Sequence, residues 1–249
     1  MPKATRTAKK WSKRKRTWGG RYGSLRKRPS PFSPLRMLPS MAIGGIPKTK
    51  LVRLRHCQEM LLDAGANSYV KQTFNLSNPT NVLNTTTAKK VVANWSRHIA
   101  NYDKWTVVAA KVTIRYYENS VPTNYPSYIG IYTDDNVTEV DNILANGPAA
   151  MMEQPRNVTL KAINIQQLQS ECVISKGVDI AKFWSVSPSA LYDNEEDYSG
   201  LIPSGEPEKN VFAHLWVASM QSDNPSDVPY IATVDYVIRF CEPKPIANI

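Results

Sequence analysis

The chain has 249 residues, of which 31 are Lys or Arg and 21 are Asp or Glu, and its net charge is +10. The first 58 residues hold seventeen of the basic residues and no acidic one, so the other fourteen basic residues face all 21 acidic ones and give residues 59–249 a charge of −7. This division predicts a polycationic arm joined to a mildly acidic body. No apolar run approaches the roughly 20 residues of a membrane-spanning helix, so no membrane partner is expected.

Size and cysteine content narrow the class of protein. About 200 residues remain after the arm, which is enough for one domain with a substantial core. The three cysteines, Cys57, Cys172 and Cys241, are odd in number and far apart, so they predict no disulfide framework and fit a reducing compartment. The basic N-terminus lacks the apolar segment that a secretory signal requires.

Residues 1–47 are predicted to be a disordered arm that binds nucleic acid, because their charge density makes a collapsed state costly. Cations neutralise phosphates and flat rings stack on unpaired bases, so the alternation of both types is typical of single-stranded nucleic-acid binding without sequence preference. The alternative is a solvated basic tail that only aids solubility. The residues of the arm expected to contact nucleic acid are Lys9, Lys10, Trp11, Lys13, Arg14, Lys15, Arg16, Trp18, Arg21, Tyr22, Arg26, Lys27 and Arg28.

The same arm matches a nuclear import signal. Two basic clusters are separated by nine residues, the spacing of a bipartite signal, so a nuclear import receptor is an expected partner. The clusters consist of Lys13, Arg14, Lys15 and Arg16, followed by Arg26, Lys27 and Arg28. A basic arm that binds nucleic acid tends to match this pattern by composition alone, which leaves both interpretations open.

The arm ends in a linker, and the body begins with a strand. Residues 29–47 are rich in Pro, Ser, Met and Gly and predict an extended connection, because proline fixes φ and has no amide donor. We place the domain boundary after residue 47, with the body spanning 48–249. In residues 50–62, Val52, Leu54, His56 and Met60 share one parity, and Arg53, Arg55 and Glu59 share the other. This alternation predicts a strand with one polar face.

The remaining elements are predominantly extended. Residues 69–76, 105–117, 127–133, 157–165, 171–175, 211–220 and 229–241 predict strands, residues 86–102 a short helix on the sheet edge, and residues 140–152 a helical turn. In the last strand, Ala232, Val234, Tyr236, Ile238 and Phe240 face one way. Residues 182–205 read as a long acidic connection whose aromatic residues either pack on the body or contact a neighbour. Seven to nine strands without a βαβ rhythm predict an all-β antiparallel sandwich.

No constellation of catalytic residues is evident. The three histidines, His56, His98 and His214, are far apart, and no pair has metal-ligand spacing. No phosphate-binding glycine loop or nucleophile elbow occurs. We therefore expect no enzyme, no catalytic residue, no metal site and no cofactor, with a nucleic-acid enzyme assembled only by tertiary structure as the remaining alternative.

Several segments of the body resemble, in order, the capsid proteins of circovirus-like viruses, which are small eukaryotic viruses with circular single-stranded DNA. Residues 51–56 resemble the first strand of those shells, and residues 234–243 resemble the last. Residues 69–74, the turn at Asn78-Pro79, and Trp95, Tyr102 and Val107 resemble the segment that leads into residues 111–114. The basic arm that precedes these segments fits the same family.

The resemblance implies a single eight-stranded jelly roll that self-assembles into an icosahedral T=1 shell, typically of sixty copies, with the arm inside. The expected partners are the single-stranded DNA genome and other copies of the chain, and the expected locations are the virion and the host nucleus. A host attachment receptor is implied, although no residue identifies it. Sixty stretches of seventeen cations would carry about a thousand positive charges, the scale of a small genome with one charge per nucleotide.

Two alternatives stay open at this stage. The first is a non-viral nuclear protein that binds single-stranded nucleic acid and has a β-sandwich body. The second concerns Arg53, Arg55 and Arg239. If the first and last strands are neighbours, these arginines form either a basic patch that faces the lumen of the shell and binds nucleic acid or an ordinary salt-bridged sheet face.

Overall fold

The computed structural model describes residues 42–43, 46–62, 69–84, 89–117, 127–154, 157–163, 171–193, 195–202, 205–219 and 228–244. The chain divides into two units, Met1–Ser30 and Pro31–Ile249, and all of these residues belong to the second. The arm residues expected to bind nucleic acid and to act in nuclear import therefore lie outside the described part. The arm, its linker and the boundary after residue 47 remain predictions.

Strands dominate the described residues. The strands are β1 (Ala42–Ile43), β2 (Ile46–Pro47), β3 (Thr49–Leu62), β4 (Tyr69–Asn75), β5 (Tyr102–Tyr117), β6 (Ser127–Asp134), β7 (Val158–Ile163), β8 (Glu171–Asp179), β9 (Ser199–Leu201), β10 (Phe212–Ser219) and β11 (Val228–Pro243). The helices are α1 (Trp95–Ile99), α2 (Glu139–Ala145), α3 (Ile180–Phe183), α4 (Pro188–Asp193) and α5 (Glu195–Tyr198), with a 3₁₀ helix over Pro148–Glu153. In the described ranges, none of these helices has the length and apolar character needed to cross a membrane.

The strand pairing is that of a jelly roll. One sheet has the order β4-β10-β6-β7, and the other has the order β3-β11-β5-β8, with β9 also paired to β5. Among the eight long strands, the first pairs with the last, the second with the seventh, the third with the sixth and the fourth with the fifth, always antiparallel. This is a long hairpin rolled into two sheets, which confirms the predicted eight-stranded jelly-roll sandwich.

The alternation in the sequence sets which residues fill the space between the sheets. In β11, the predicted inward residues Ala232, Val234, Tyr236, Ile238 and Phe240 are all fully buried. The hydroxyl of Tyr236 donates to the backbone oxygen of Asn75 at 2.5 Å, which ties the five-stranded sheet to the four-stranded one. A buried tyrosine needs such a partner because an unpaired hydroxyl is costly away from water.

The helix predicted over residues 86–102 is much shorter in the structure. Of residues 89–102, which the structure describes, only Trp95–Ile99 are helical, and β5 already begins at Tyr102. The amide of Val92 donates to the Pro79 oxygen at 3.0 Å, and the amide of Val82 donates to the Lys90 oxygen at 2.9 Å, so residues 90–92 bond to a neighbouring loop. These loop bonds compete with helical bonds, and β-branched valines favour the extended alternative.

The connection predicted over residues 182–205 contains three helices and strand β9. Its aromatic and apolar residues mostly pack on the sandwich, which decides the choice that the sequence left open. Leu191 and Tyr198 are buried in the core, and Phe183, Trp184, Tyr192 and Ile202 pack against it, while Leu201 is exposed. Gly200 lies against the Trp105 ring, because a Cβ there would come within 2.1 Å of it. Only a glycine lets β9 close over this part of the core.

Candidate nucleic-acid interface

The outer surface of the five-stranded sheet, called the open face below, carries most of the charged side chains that the strands present to solvent. Every second side chain of β3, β11, β5 and β8 points to this surface, and the side chains between them point into the core. Among the described residues, five basic side chains and three carboxylates lie on it. They are Arg53, Arg55, Lys111, Arg115 and Arg239, together with Glu59, Asp179 and Asp235.

The centre of the open face is a row in which Asp235 lies between two cations. Register places Asp235 opposite Arg55 on one side and opposite Lys111 on the other. The guanidinium of Arg55 donates from Nε at 2.7 Å and from Nη2 at 3.0 Å to the two carboxylate oxygens of Asp235. This hydrogen bonding raises the pKa of Arg55, which is always protonated in any case. The row keeps a net positive charge while the carboxylate fixes the direction of Arg55.

Burial is unequal within this pair. The side chain of Asp235 is 14% exposed, whereas that of Arg55 is 65% exposed. Arg55 therefore meets Asp235 along one edge and still presents most of its surface to solvent. Arg55 is therefore salt-bridged and also displayed on a basic face, and its role in binding nucleic acid stays a prediction.

Arg239 has a different environment at one end of the face. Its guanidinium carbon lies 3.9 Å from the ring centroid of Tyr192, a close cation–π contact. Lys104 donates from Nζ to the backbone oxygen of Tyr192 at 3.1 Å and is almost completely buried. The segment that carries α4 thus covers this end of the sheet and occupies the flat side of Arg239.

The predicted strand neighbours are confirmed, and the structure adds two cations to the candidate set. β3 pairs with β11, so Arg53 and Arg55 share one face with Arg239. Lys111 and Arg115 of β5 extend this face, and both come from the outward parity of the strand. Their alternation with Val112 and Ile114 was visible in the sequence, but only the pairing of β5 with β11 places them beside the arginines of the first strand.

The outer surface of the four-stranded sheet is covered. Val140 and Leu144 of α2 and Met151 of the 3₁₀ helix pack on Trp216 and Tyr132, and together they form a second apolar cluster outside the sandwich. Gly130 leaves room for the indole of Trp216, because a Cβ there would approach the ring to 2.4 Å. Within the described ranges, the five-stranded sheet therefore presents the open charged surface.

The histidines occupy three unrelated positions. His56 is half-buried near the Gln58 oxygen at 3.3 Å, and the ring of His98 stacks on Phe240 at a centroid distance of 5.3 Å. His214 is fully buried under the cover of the four-stranded sheet, with Nδ1 3.0 Å from the Thr73 hydroxyl. Burial and the nearby Lys71 charge lower the pKa of His214 to about 4. No cluster of three potential metal ligands occurs in the part of the chain that the structure describes.

An apolar cleft of about 320 Å³ lies on the side of the sandwich near α1 and β9. Its lining includes Trp95, Ile99, Trp105 and Leu201, and the Lys89–Glu206 ion pair, at 2.6 Å, closes one rim. The lining also includes Thr80, whose hydroxyl donates to Asn78 Oδ1 at 2.6 Å.

No protein-family model and no curated protein matches the sequence. Solved structures with a related course of the chain include Desmodium yellow mottle tymovirus, at 11% identity and a TM-score of 0.40, covering 88% of this chain and 99% of that one. They also include decameric BFDV capsid protein, at 9% identity, a TM-score of 0.41 and coverages of 77% and 98%. Mud crab tombus-like virus has 15% identity, a TM-score of 0.43 and coverages of 85% and 90%. Because these TM-scores are below 0.5, the fold assignment rests on the strand pairing described above and not on these structures.

Proposed function

We propose that this chain is a viral capsid protein that assembles into a small icosahedral shell and packages circular single-stranded DNA through its basic N-terminal arm. One observation carries the proposal. The acid-free stretch of residues 1–58, with seventeen cations, runs without interruption into β3 of a jelly roll. Jelly rolls are a recurrent architecture of viral shells, although the fold alone does not define a function.

The open face continues the charge of the arm. β3 leaves the arm and presents Arg53 and Arg55 on the face that also holds Lys111 and Arg115. Because the arm and β3 belong to one chain, both sets of cations would act on the same cargo. Binding would be mainly electrostatic, because cations that contact phosphates release counterions whatever the base sequence.

The resemblance of the body segments to circovirus-like capsid proteins supports sixty copies per shell and single-stranded DNA as the cargo. The basic clusters of the arm would engage a host import receptor, since packaging of a DNA genome in the nucleus requires the chain to enter it. The sites of action are then the virion and the host nucleus. The role is structural, so no cofactor or catalytic step is involved.

Electron microscopy of the purified full-length chain tests assembly, and the ultraviolet absorbance ratio of the particles tests packaging. We expect uniform shells that contain nucleic acid. A small monodisperse species at every salt concentration and pH would contradict the proposal and favour the alternative, a nuclear single-stranded nucleic-acid-binding protein.

Deletion of residues 1–45 separates packaging from assembly. We expect the deletion to abolish the steep salt dependence of binding to single-stranded oligonucleotides. A matched variant that replaces Trp11, Trp18 and Tyr22 by Ala keeps every cation, so it should preserve the salt dependence and lose only the stacking contribution, about 1–3 kcal/mol per base. Undiminished affinity after the deletion would contradict the role of the arm.

The contribution of the open face is tested by charge reversal. Arg53→Glu combined with Arg55→Glu should lower the amount of packaged nucleic acid while shells still form. Arg97→Glu is the matched control, because Arg97 is an exposed arginine on α1. Unchanged packaging in the double variant would assign these arginines to an ordinary solvated sheet face.

A further inference from the structure

The edge of β3 is the longest strand edge among the described residues. β3 spans fourteen residues, and β11 is the strand paired with it in the described part of the chain. The opposite edge of the same sheet, β8, has nine residues, and its Val173 carbonyl accepts a hydrogen bond from Lys161 Nζ at 3.0 Å. A long flat edge is a template for strand pairing with another chain unless it is blocked.

The side chains of β3 are arranged symmetrically along this edge. Leu51 and Leu61 are large apolar residues that are 43% and 64% exposed, and both point to the open face. Between them, on the same face, lie Arg53, Arg55, Cys57 and Glu59. Along the strand, Leu51 and Leu61 are each five residues from His56, and Arg53 and Glu59 are each three residues from it. The strand thus has the apolar and charged positions that a self-complementary contact requires.

We propose that two copies of this chain associate edge to edge through β3, antiparallel, about a two-fold axis at His56. Leu51 of each copy then lies opposite Leu61 of the other, Arg53 opposite Glu59, and Arg55 opposite Cys57. Directly opposed residues of an antiparallel pair point to the same face, so the two open faces become one surface. The two five-stranded sheets join into one continuous sheet.

The neighbouring registers are less favourable. An axis at Arg55 would oppose the two Arg55 side chains and place Leu51 against Glu59. An axis at Cys57 would place Leu61 against Arg53 and leave Leu51 beyond the described strand. Opposite charges and apolar pairs directly across a strand pair each contribute about 0.2–1 kcal/mol, and like charges are destabilising. The axis at His56 is therefore the one that joins both leucine pairs and both Arg–Glu pairs.

The contact deepens the proposed function, since it names a second copy of the chain as the partner of β3. It does not require that the copies go on to form a shell. A two-fold contact is isologous, so each copy contributes the same patch, and closed symmetric assemblies are built from such contacts. Dimer formation and shell formation can consequently be scored separately.

Disulfide trapping in the full-length chain reads the register directly. Arg55→Cys places a new thiol opposite the native Cys57 of the second copy, and His56→Cys places two thiols opposite each other at the axis. Directly opposed Cα atoms are about 4.5–5.5 Å apart, which a disulfide can span. Arg53→Cys is the matched control, because it faces Glu59 and is diagonal, at about 7–8 Å, to Cys57 of the other copy.

Under mild oxidation, we expect both Arg55→Cys and His56→Cys to run mainly as covalent dimers on a non-reducing gel, with the wild-type chain and Arg53→Cys remaining monomeric there. Circular dichroism confirms that each variant is folded. Folded variants without crosslinks would overturn the pairing, and wild-type crosslinking through Cys57 would overturn the register at His56. Uncrosslinked shells would refute the contact alone, whereas crosslinked dimers that never form shells would refute the capsid proposal alone.

A second measurement is independent of thiols. Leu61→Asp should shift the chain toward monomer in sedimentation velocity at low concentration, because it removes both leucine pairs of the contact. Val173→Asp, on the exposed face of β8 at the other edge, is the matched control and should leave the dimer unchanged. Equal effects of the two substitutions would contradict the assignment to β3.

Discussion

The two sheets have outer faces of opposite character. All eight residues of β10 are buried, because one side of this strand faces the sandwich interior and the other lies beneath α2 and the 3₁₀ helix. β3 alternates instead between exposed positions and buried or half-buried ones along its whole length. In the described part of the chain, one sheet is covered by α2 and the 3₁₀ helix, whereas the other leaves a charged surface and the long edge of β3 uncovered. Under the proposed function, the five-stranded sheet is the side on which this protein contacts its cargo and a second copy.

The largest expected effect concerns the cover itself. Met151→Ala should lower the free energy of unfolding by about 2–5 kcal/mol, because Met151 is fully buried between the 3₁₀ helix and the four-stranded sheet. Its neighbour Met152 is 49% exposed, so Met152→Ala is the matched control and should change stability by less than about 0.5 kcal/mol. Denaturant titration of both variants measures the difference. Equal losses would mean that the cover is not a packed layer.

The second prediction concerns the pH dependence of the covered face. His214 packs against Thr73 and Tyr132, near Lys71, Asp141 and the Asn136 backbone. In the folded chain the pKa of His214 is about 4, below its ordinary value of 6.5. Between pH 4 and pH 6.5 the unfolded chain therefore binds this proton more readily than the folded chain does. Stability contributed by the neutral imidazole is present above pH 6.5 and decreases as the pH falls toward 4. The expected loss is about 3 kcal/mol.

Comparison with His214→Phe isolates this contribution from the carboxylates that titrate in the same range. The variant should show a flatter dependence of the unfolding free energy on pH between 6.5 and 4. His56→Phe is the control on the open sheet, because His56 is only half-buried. A wild-type slope in His214→Phe would show that the buried imidazole does not govern the acid sensitivity of the cover.

The smallest expected effect concerns the charge of the open face. Asp235→Asn should change the unfolding free energy by less than about 1 kcal/mol, since its partner Arg55 is mostly exposed. It should also raise the affinity of the full-length chain for single-stranded DNA and steepen its dependence on salt, with a slope change of up to about one. Asp141→Asn removes a paired carboxylate from the covered sheet and should leave DNA binding unchanged. Identical effects of the two variants would remove the distinction between the faces.

The sequence predicted more of the fold than of the site. Strand alternation located all eight long strands, and the inward residues of β11 are those that the pattern indicated. The helix near Trp95 was overestimated because the apolar spacing of Val91, Val92 and Trp95 is shared by an extended loop bonded to residues 79–82. The helices after β8 were missed because each has only four to six residues, too few to show a helical period. The first of them begins with a local cap, in which the Lys182 amide donates to the Asp179 carboxylate.

At the candidate interface, the sequence grouped Arg53, Arg55 and Arg239 but could not join them to the cations of β5. Lys111 and Arg115 lie more than fifty residues further along the chain, and only the shared partner β11 brings their strand beside β3. Asp235 has the opposite parity to the inward residues predicted for the last strand, yet its two-point contact with Arg55 depends on exact register. The stack of Arg239 on Tyr192 depends on how α4 folds back over the sheet, which no local pattern encodes.

What the sequence determined by itself is the separation of charge and the parity of each strand, because both are local properties that survive in any antiparallel arrangement. Which outer face is covered was decided only by tertiary structure. α2 and the 3₁₀ helix bury their apolar side chains on the four-stranded sheet, and within the described ranges the basic face of β3 and its unpaired edge lie on the other sheet. Burial of apolar area sets that choice, since the cover packs where a matching apolar surface exists and the charged parity of β3 offers none.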